Sequence, residues 1–224
     1  MARSVSVANL IVSIRRAVSA AGDTQFLPDA EVVDYLNEEY PRIYALYVKA
    51  FPEFFRTEVD VTSTGVATYT LPADYFETVG VDWKQSATRT FRLRRLMESE
   101  RNRYSGVTSG PARAYRVLGN TLALFPTPRN GDVYRHIYVP TAPVLTAVDS
   151  IDGILGHEKL LVFAVALRVL ATKDEVDFSQ TQALYNECKQ EVTEEAGMRA
   201  VEAIYPTDEW DEYDDEGSFR WTPP

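Results

Sequence analysis

The chain should fold as an α+β protein, mainly helical, with a helical bundle formed by its N- and C-terminal helices. An antiparallel β-rich segment is inserted in that bundle, and an extended C-terminal arm follows it. Three observations point there. Apolar residues recur at three- and four-residue spacing near both ends, strand-like alternation replaces that period in the middle, and residues 206–224 are too charged to build a core. The expected division is a helical hairpin over 1–53, a β-rich insertion with a short helix over 54–145, the remaining helices of the body over 146–205, and the arm over 206–224.

Val7, Leu10, Ile11, Ile14 and Val18 fall on one face of a first helix. Ala20-Ala21-Gly22-Asp23 should end it, with Gly22 as a left-handed cap. A second helix starts near Pro28-Asp29, where Asp29 and Glu31 complement the positive end of the helix dipole. Its stripe is Val32, Leu36, Tyr40, Ile43, Tyr44 and Tyr47, and Pro41 inside it predicts a kink or a break.

Alternation from Phe55 to Val61 reads as a half-exposed strand, and Thr68–Leu71 and Tyr75–Trp83 read as two more. Arg92 to Tyr104 reads as a short helix, with Leu93, Leu96 and Met97 apolar among charges. Gly119-Asn120 should join strands Ala114–Leu118 and Thr121–Phe125 in a tight hairpin, because such a turn needs positive φ. Val133–Val139 is the last strand of the group. Helical period returns at about Ile154, with Leu160, Leu161, Ala164, Leu167, Arg168 and Ala171 along a strongly apolar helix. A long polar helix from Ser179 to about Ala203 has the thin spine Leu184, Cys188, Val192, Ala196 (or Glu195), Arg199 and Ala203.

Composition narrows the function. A chain of 224 residues can bury a core large enough to need no staples. Its single cysteine, Cys188, excludes an intramolecular disulfide framework and any CxxC metal site. No signal-peptide pattern or bilayer-length apolar run is seen, so a soluble protein made in a reducing cytoplasm, with no membrane partner, is expected. Net charge is −10, and residues 206–224 supply seven carboxylates against Arg220 alone. An acidic chain lacks the cations that bind phosphate backbones by displacing counterions, which argues against general nucleic-acid binding.

No catalytic constellation emerges, and the expectation is a non-enzyme without cofactor or metal. His157-Glu158 opens like a zinc-protease helix, but the second ligand position holds Leu161. Asp149, Asp152 and Gly153 lack the spacing of a calcium loop and read as a helix start with Asp152 near the cap. Cys188 reads as a small hydrophobe on a helix face.

Two features remain. Arg92, Arg94, Arg95, Arg101 and Arg103, with Arg89 just before them, form a basic stretch opposed only by Glu98 and Glu100. It reads either as a solvated face or as a surface that meets DNA, an acidic partner or a neighbouring subunit. The arm combines Trp210, Tyr213, Phe219 and Trp221 with Asp211, Asp214 and Asp215. Large aromatics anchor interfaces and carboxylates steer toward basic surfaces, so the arm is read as a partner-binding element that orders on binding.

Several short motifs in order resemble phage head-to-tail adaptor (connector) proteins over most of residues 5–204. They are Leu27-Pro28-Asp29-Ala30-Glu31 with Leu36-Asn37-Glu38, Leu71-Pro72-Ala73-Asp74-Tyr75, Gly110-Pro111-Ala112-Arg113-Ala114-Tyr115 and Leu124-Phe125-Pro126-Thr127-Pro128. Tyr138 to Leu145 and the helix containing Ala166-Leu167-Arg168 complete the series. The resemblance implies a structural virion protein of the neck: a homo-oligomeric ring, a dodecamer, under the portal. It would extend the channel through which genomic DNA passes without sequence-specific binding, and offer a platform to a tail or nozzle protein. With such a ring as the setting, the composition of the arm leads to the expectation that it grips the portal, and the arginine stretch is expected to face a neighbouring subunit or the channel. The rival readings are a stopper or tail-tube component, and a non-viral DNA-binding regulator whose acidic tail masks its site.

Overall fold

Ser6 begins the first helix by accepting the Asn9 N–H on its hydroxyl at 3.3 Å, which satisfies one of the amides a helix start leaves open. That helix, α1 (Val7–Ala17), follows a short strand, β1 (Ser4–Ser6), in a computed structural model of the chain. The structure describes residues 4–19, 25–100, 102–104, 109–152, 156–173 and 178–203. The expected cap at Ala20–Asp23, Arg101 and the whole arm lie outside the described residues. The chain divides into two compact units, Met1–Glu39 with Thr146–Pro224, and Tyr40–Leu145.

In the first unit, all five residues of the α1 stripe are buried. Arg15 is buried with them, donating from Nε and Nη2 to Leu27 O at 3.1 and 2.6 Å and pairing with Asp29 at 2.5 Å. It thereby ties α1 to the start of α2 (Asp29–Ala50), whose residues 29–39 belong to this unit. β1 pairs antiparallel with β10 (Ser150–Asp152), in register Val5↔Ile151, and the Val7 N–H donates to Asp149 O at 2.9 Å. Asp152 is thus a strand residue and not a helix start; α4 (Glu158–Thr172) has His157 at its N-cap. The buried side of α4 is Leu160, Leu161, Val165 and Val169 with small residues between, whereas Arg168 and Ala171 are exposed. α4 packs against α1 and against α5 (Ser179–Ala203). Val192 is the one fully buried residue among those described on α5, which fits a thin spine on a solvated helix.

The second unit begins with residues 40–50 of α2, which runs unbroken through Pro41. The Tyr44 hydroxyl donates to Pro140 O at 3.0 Å, and its ring meets Phe55 of α3 (Pro52–Phe55) edge-on at 4.9 Å. Two four-stranded sheets follow. The first has the order β2 (Thr57–Thr62), β9 (Val133–Pro140), β4 (Tyr75–Lys84), β5 (Thr90–Arg92), all antiparallel. The second has the order β3 (Thr68–Thr70), β8 (Thr121–Phe125), β7 (Ala114–Leu118), β6 (Arg94–Arg95), with β6 parallel to β7. Gly119 takes φ 57° in the β7–β8 turn while Asn120 does not go positive, which is the type II′ pattern with glycine first.

Val81 and Tyr134 from the first sheet share one core with Tyr115, Leu122 and Leu124 from the second. Leu71, Leu93 and Ala112 seal it from the connecting segments. A fully buried leucine contributes about 2 kcal/mol by leaving water, so this small cluster is what joins the sheets.

The segment Arg92–Tyr104 differs from the helix its spacing predicts. Its described residues form β5, β6, a single 3₁₀ turn at Glu98–Glu100 and a further turn. Leu93 and Leu96 are buried three residues apart, as on a helix. Their amides go elsewhere: Leu93 N–H donates to Val81 O at 2.8 Å, and Leu96 N–H to Tyr115 O at 2.9 Å. The chain is passing from the edge of one sheet to the edge of the other.

Candidate functional site

That crossing decides where the arginines go. Only Leu93 and Leu96 turn into the core, so Arg92, Arg94 and Arg95 are all exposed on the joined edges of the two sheets. Arg94 and Arg103 both pair with Glu100 Oε1, at 2.6 and 3.1 Å. Glu100 also accepts the Met97 N–H at 3.3 Å. That amide, together with the two guanidinium groups, holds its carboxyl below the ordinary range. Arg116 of β7 pairs with Glu98. Among the described residues, Arg92 and Arg95 make no ion pair.

Arg92 ends a row of alternating charge. Strand register puts Asp60 opposite Arg135, Arg135 opposite Asp82, and Asp82 opposite Arg92, across β2, β9, β4 and β5. Arg135 pairs with Glu58 at 3.0 Å and Asp60 at 3.4 Å, and Lys84 pairs with Asp60. Asp60 is pushed down chiefly by the Lys84 hydrogen bond. Burial raises Asp82, with Arg92 and Arg135 opposing. The row alternates in sign and balances, two carboxylates against two guanidinium groups, with Arg92 as its last member at the β5 edge.

The opposite face of the same strand pair carries an aromatic stack. Phe91 stacks on Trp83 at 5.6 Å between ring centroids, and the Arg89 guanidinium sits 4.9 Å from the centroid of the Phe91 ring. Phe91 remains 39% exposed and Met97 70% exposed. Sequence reasoning missed this stack, although a β4–β5 hairpin register pairs Trp83 with Phe91 directly. The missing signal was β5 itself, three residues long and running into the Arg92–Tyr104 segment whose spacing predicts a helix.

The rest of the chemistry-bearing residues are tied up structurally. His157 Nε2 lies 2.8 Å from Glu195 Oε2 on α5. His136 is buried against Thr78, and burial pushes the Cys188 thiol up. No group of three or more His, Cys, Asp or Glu is placed to hold a metal ion among the described residues. Nor is any described helix long and apolar enough to cross a membrane. What remains at the joined sheet edges is Arg95, which makes no ion pair among the described residues, Arg92, which faces Asp82 across the strand pair, and exposed Met97 two residues on. Arg94 and Arg103 belong to the same stretch and share the single Glu100 carboxylate, which offsets one of their two charges. Trp210, Asp211, Tyr213, Asp214, Asp215, Phe219 and Trp221 of the arm lie outside the described residues.

The family model described as SU10 adaptor protein matches residues 5–209. No curated protein matches the chain.

Proposed function

We propose, for a chain that belongs to the SU10 adaptor protein family, that it forms a ring beneath the portal of a tailed phage. There it extends the DNA channel and gives tail components their attachment platform. The chain is a phage adaptor-type structural protein, and a virion component on that account. The observation that carries the reading is the extent of the match, residues 5–209, which takes in both compact units. Helices near both ends of the chain favour an adaptor body over a stopper or tail-tube component. The net charge of −10 disfavours a DNA-binding regulator.

Within this reading the ring is a dodecamer matching the portal, and its place is the neck. The chain's work there is structural, without catalysis or cofactor. The arm grips the portal, and the arginine stretch lies at a contact between subunits or at the channel. Trp210 and everything after it lie beyond the matched span, so the arm's role rests on its composition alone.

Mixing the chain with its cognate portal and imaging the product by electron microscopy tests the proposal. Portals capped by a continuous ring are expected. Bare portals beside single copies of the chain, at concentrations well above those in an infected cell, would overturn it. Removing residues 206–224 should sharply reduce capping; undiminished capping would remove the arm from the proposal.

A further inference from the structure

Charge is divided between the two units in a way the net value conceals. Residues 40–145 contain fourteen Lys and Arg against nine Asp and Glu, a net of +5. The rest of the chain contains nine against twenty-four, a net of −15. The arm is itself divided. All seven of its carboxylates lie in 208–216, around Trp210 and Tyr213, with no cation. Residues 217–224 hold only Arg220, with Phe219 and Trp221.

We infer that the acidic half of the arm, residues 208–216 of one copy, docks on the Arg92–Arg95 edge of a second copy, leaving Phe219 and Trp221 to engage the portal. The inference rests on the ring reading and names a partner for a surface within it. Charge complementarity is the first argument. Seven carboxylates with no cation among them meet the edge where Arg92 and Arg95 make no ion pair among the described residues, on the unit that carries the chain's positive excess. The second is chemical. Met97, two residues on from Arg95, is 70% exposed and suits an acidic segment that also carries aromatics, whereas a phosphate backbone has no use for exposed apolar side chains. Arg94, Arg103 and Arg116 are moreover occupied by Glu100 and Glu98, which leaves few cations for phosphates. The third is reach. Residues 204–224 extended cover roughly 70 Å, far enough to cross from one subunit to the next. A basic surface on one unit and an acidic segment on the other make a head-to-tail contact, the kind that closes into rings.

Reversing each side of the contact in the full chain tests this. One variant carries Arg92→Glu and Arg95→Glu; the other carries Asp211→Lys, Asp214→Lys and Asp215→Lys. Copies bound per portal, and self-association by sedimentation, are read for each. Each variant alone should associate at least about tenfold more weakly than the native chain, and their equimolar mixture should recover most of that loss, because each then supplies what the other lacks. Arg92→Lys with Arg95→Lys should behave as native, which separates loss of charge from misfolding. Arg16→Glu with Lys159→Glu, in the groove of about 670 Å³ between α1 and α4, should change little.

Native rings that tolerate the arginine reversal would overturn the inference and leave the ring reading standing. A chain with both reversals that recovers while the mixture does not would place the arm on its own copy. Lost DNA retention with intact rings would make the edge a phosphate surface. Either result overturns the inference. A native chain that stays single even with portal would take the ring reading down as well.

Discussion

His136 is the polar residue whose environment departs furthest from its sequence neighbourhood. It is 2% exposed, with Nε2 3.0 Å from Thr78 Oγ1 and its ring stacked on Tyr138 at 5.1 Å and Tyr75 at 6.0 Å. Burial pulls its pKa down to about 4. An unfolded histidine titrates near 6.5, so between those values the unfolded chain holds the extra proton. The stabilisation is fully present above about pH 6.5 and is lost as pH falls toward 4. Urea midpoints should therefore drop between pH 7 and 5 in the native chain and be nearly flat there in His136→Gln; parallel profiles would mean the histidine does not titrate in this way. The strand around His136 was legible in the alternation of residues 133–139, but its facing was not. Inward His136 and half-exposed Ile137 invert the polarity that an alternation rule assumes, because Thr78 and two tyrosine rings make the polar side chain fit. Tyr134 makes a sharper mutational case. Its hydroxyl accepts the N–H of buried Ala112 at 2.9 Å and donates to Asp132 at 3.4 Å, and burial raises its pKa to about 12. Tyr134→Phe leaves that amide unpaired in the core and should cost about 1–2 kcal/mol in urea unfolding. Tyr138→Phe, which removes a hydroxyl reaching Asp74 at 3.0 Å, leaves no buried amide behind and should cost less.

Helix α2 shows how an element can keep its span against local chemistry. Pro41 cannot donate to the helical ladder and crowds the preceding turn, which is why a kink or break is the natural expectation. The helix nevertheless runs from Asp29 to Ala50, and the buried residues Val32, Leu36, Tyr40, Ile43, Tyr44 and Tyr47 keep one period on both sides of the proline. Since Pro41 is itself exposed, Pro41→Ala should restore an amide donor without disturbing packing. It should stabilise the chain by roughly 1–3 kcal/mol, read as a higher thermal midpoint with unchanged portal capping. An unchanged or lower midpoint would show that the helix needs the proline's geometry. The strands β2, β3, β4, β7, β8 and β9 were legible because each is long enough to show alternation or, like the three-residue β3 after Gly65, is bounded by turn residues. β1, β5, β6 and β10 are two or three residues long and carry no periodic signal of their own. Leu93 and Leu96 illustrate the resulting error. Three-residue spacing is shared by a helix face and by a chain that dips twice into a core while changing sheets, and only the amide partners tell them apart.

The net charge of −10 on its own predicts mutual repulsion, and salt should then promote association by screening it. The division into +5 over residues 40–145 and −15 over the rest reverses that expectation wherever the opposed regions of two copies meet. Which effect wins depends on distance. Repulsion between whole acidic regions acts over lengths comparable to the Debye length, about 10 Å at 0.1 M salt, and is already weak there. Contact between carboxylates and the unpaired guanidinium groups of Arg92 and Arg95 acts at a few ångströms, and so dominates once copies touch. Raising salt from roughly 0.05 M to roughly 0.5 M should therefore weaken association between copies on the portal. The variant with Arg92→Glu and Arg95→Glu should show the opposite sign, associating better as salt rises, because its edge now repels the acidic arm and salt screens that repulsion. Sedimentation across the salt series reads the sign directly. Native association that strengthens with salt would mean that repulsion between the acidic regions, rather than attraction at the β5–β6 edge, governs how copies come together.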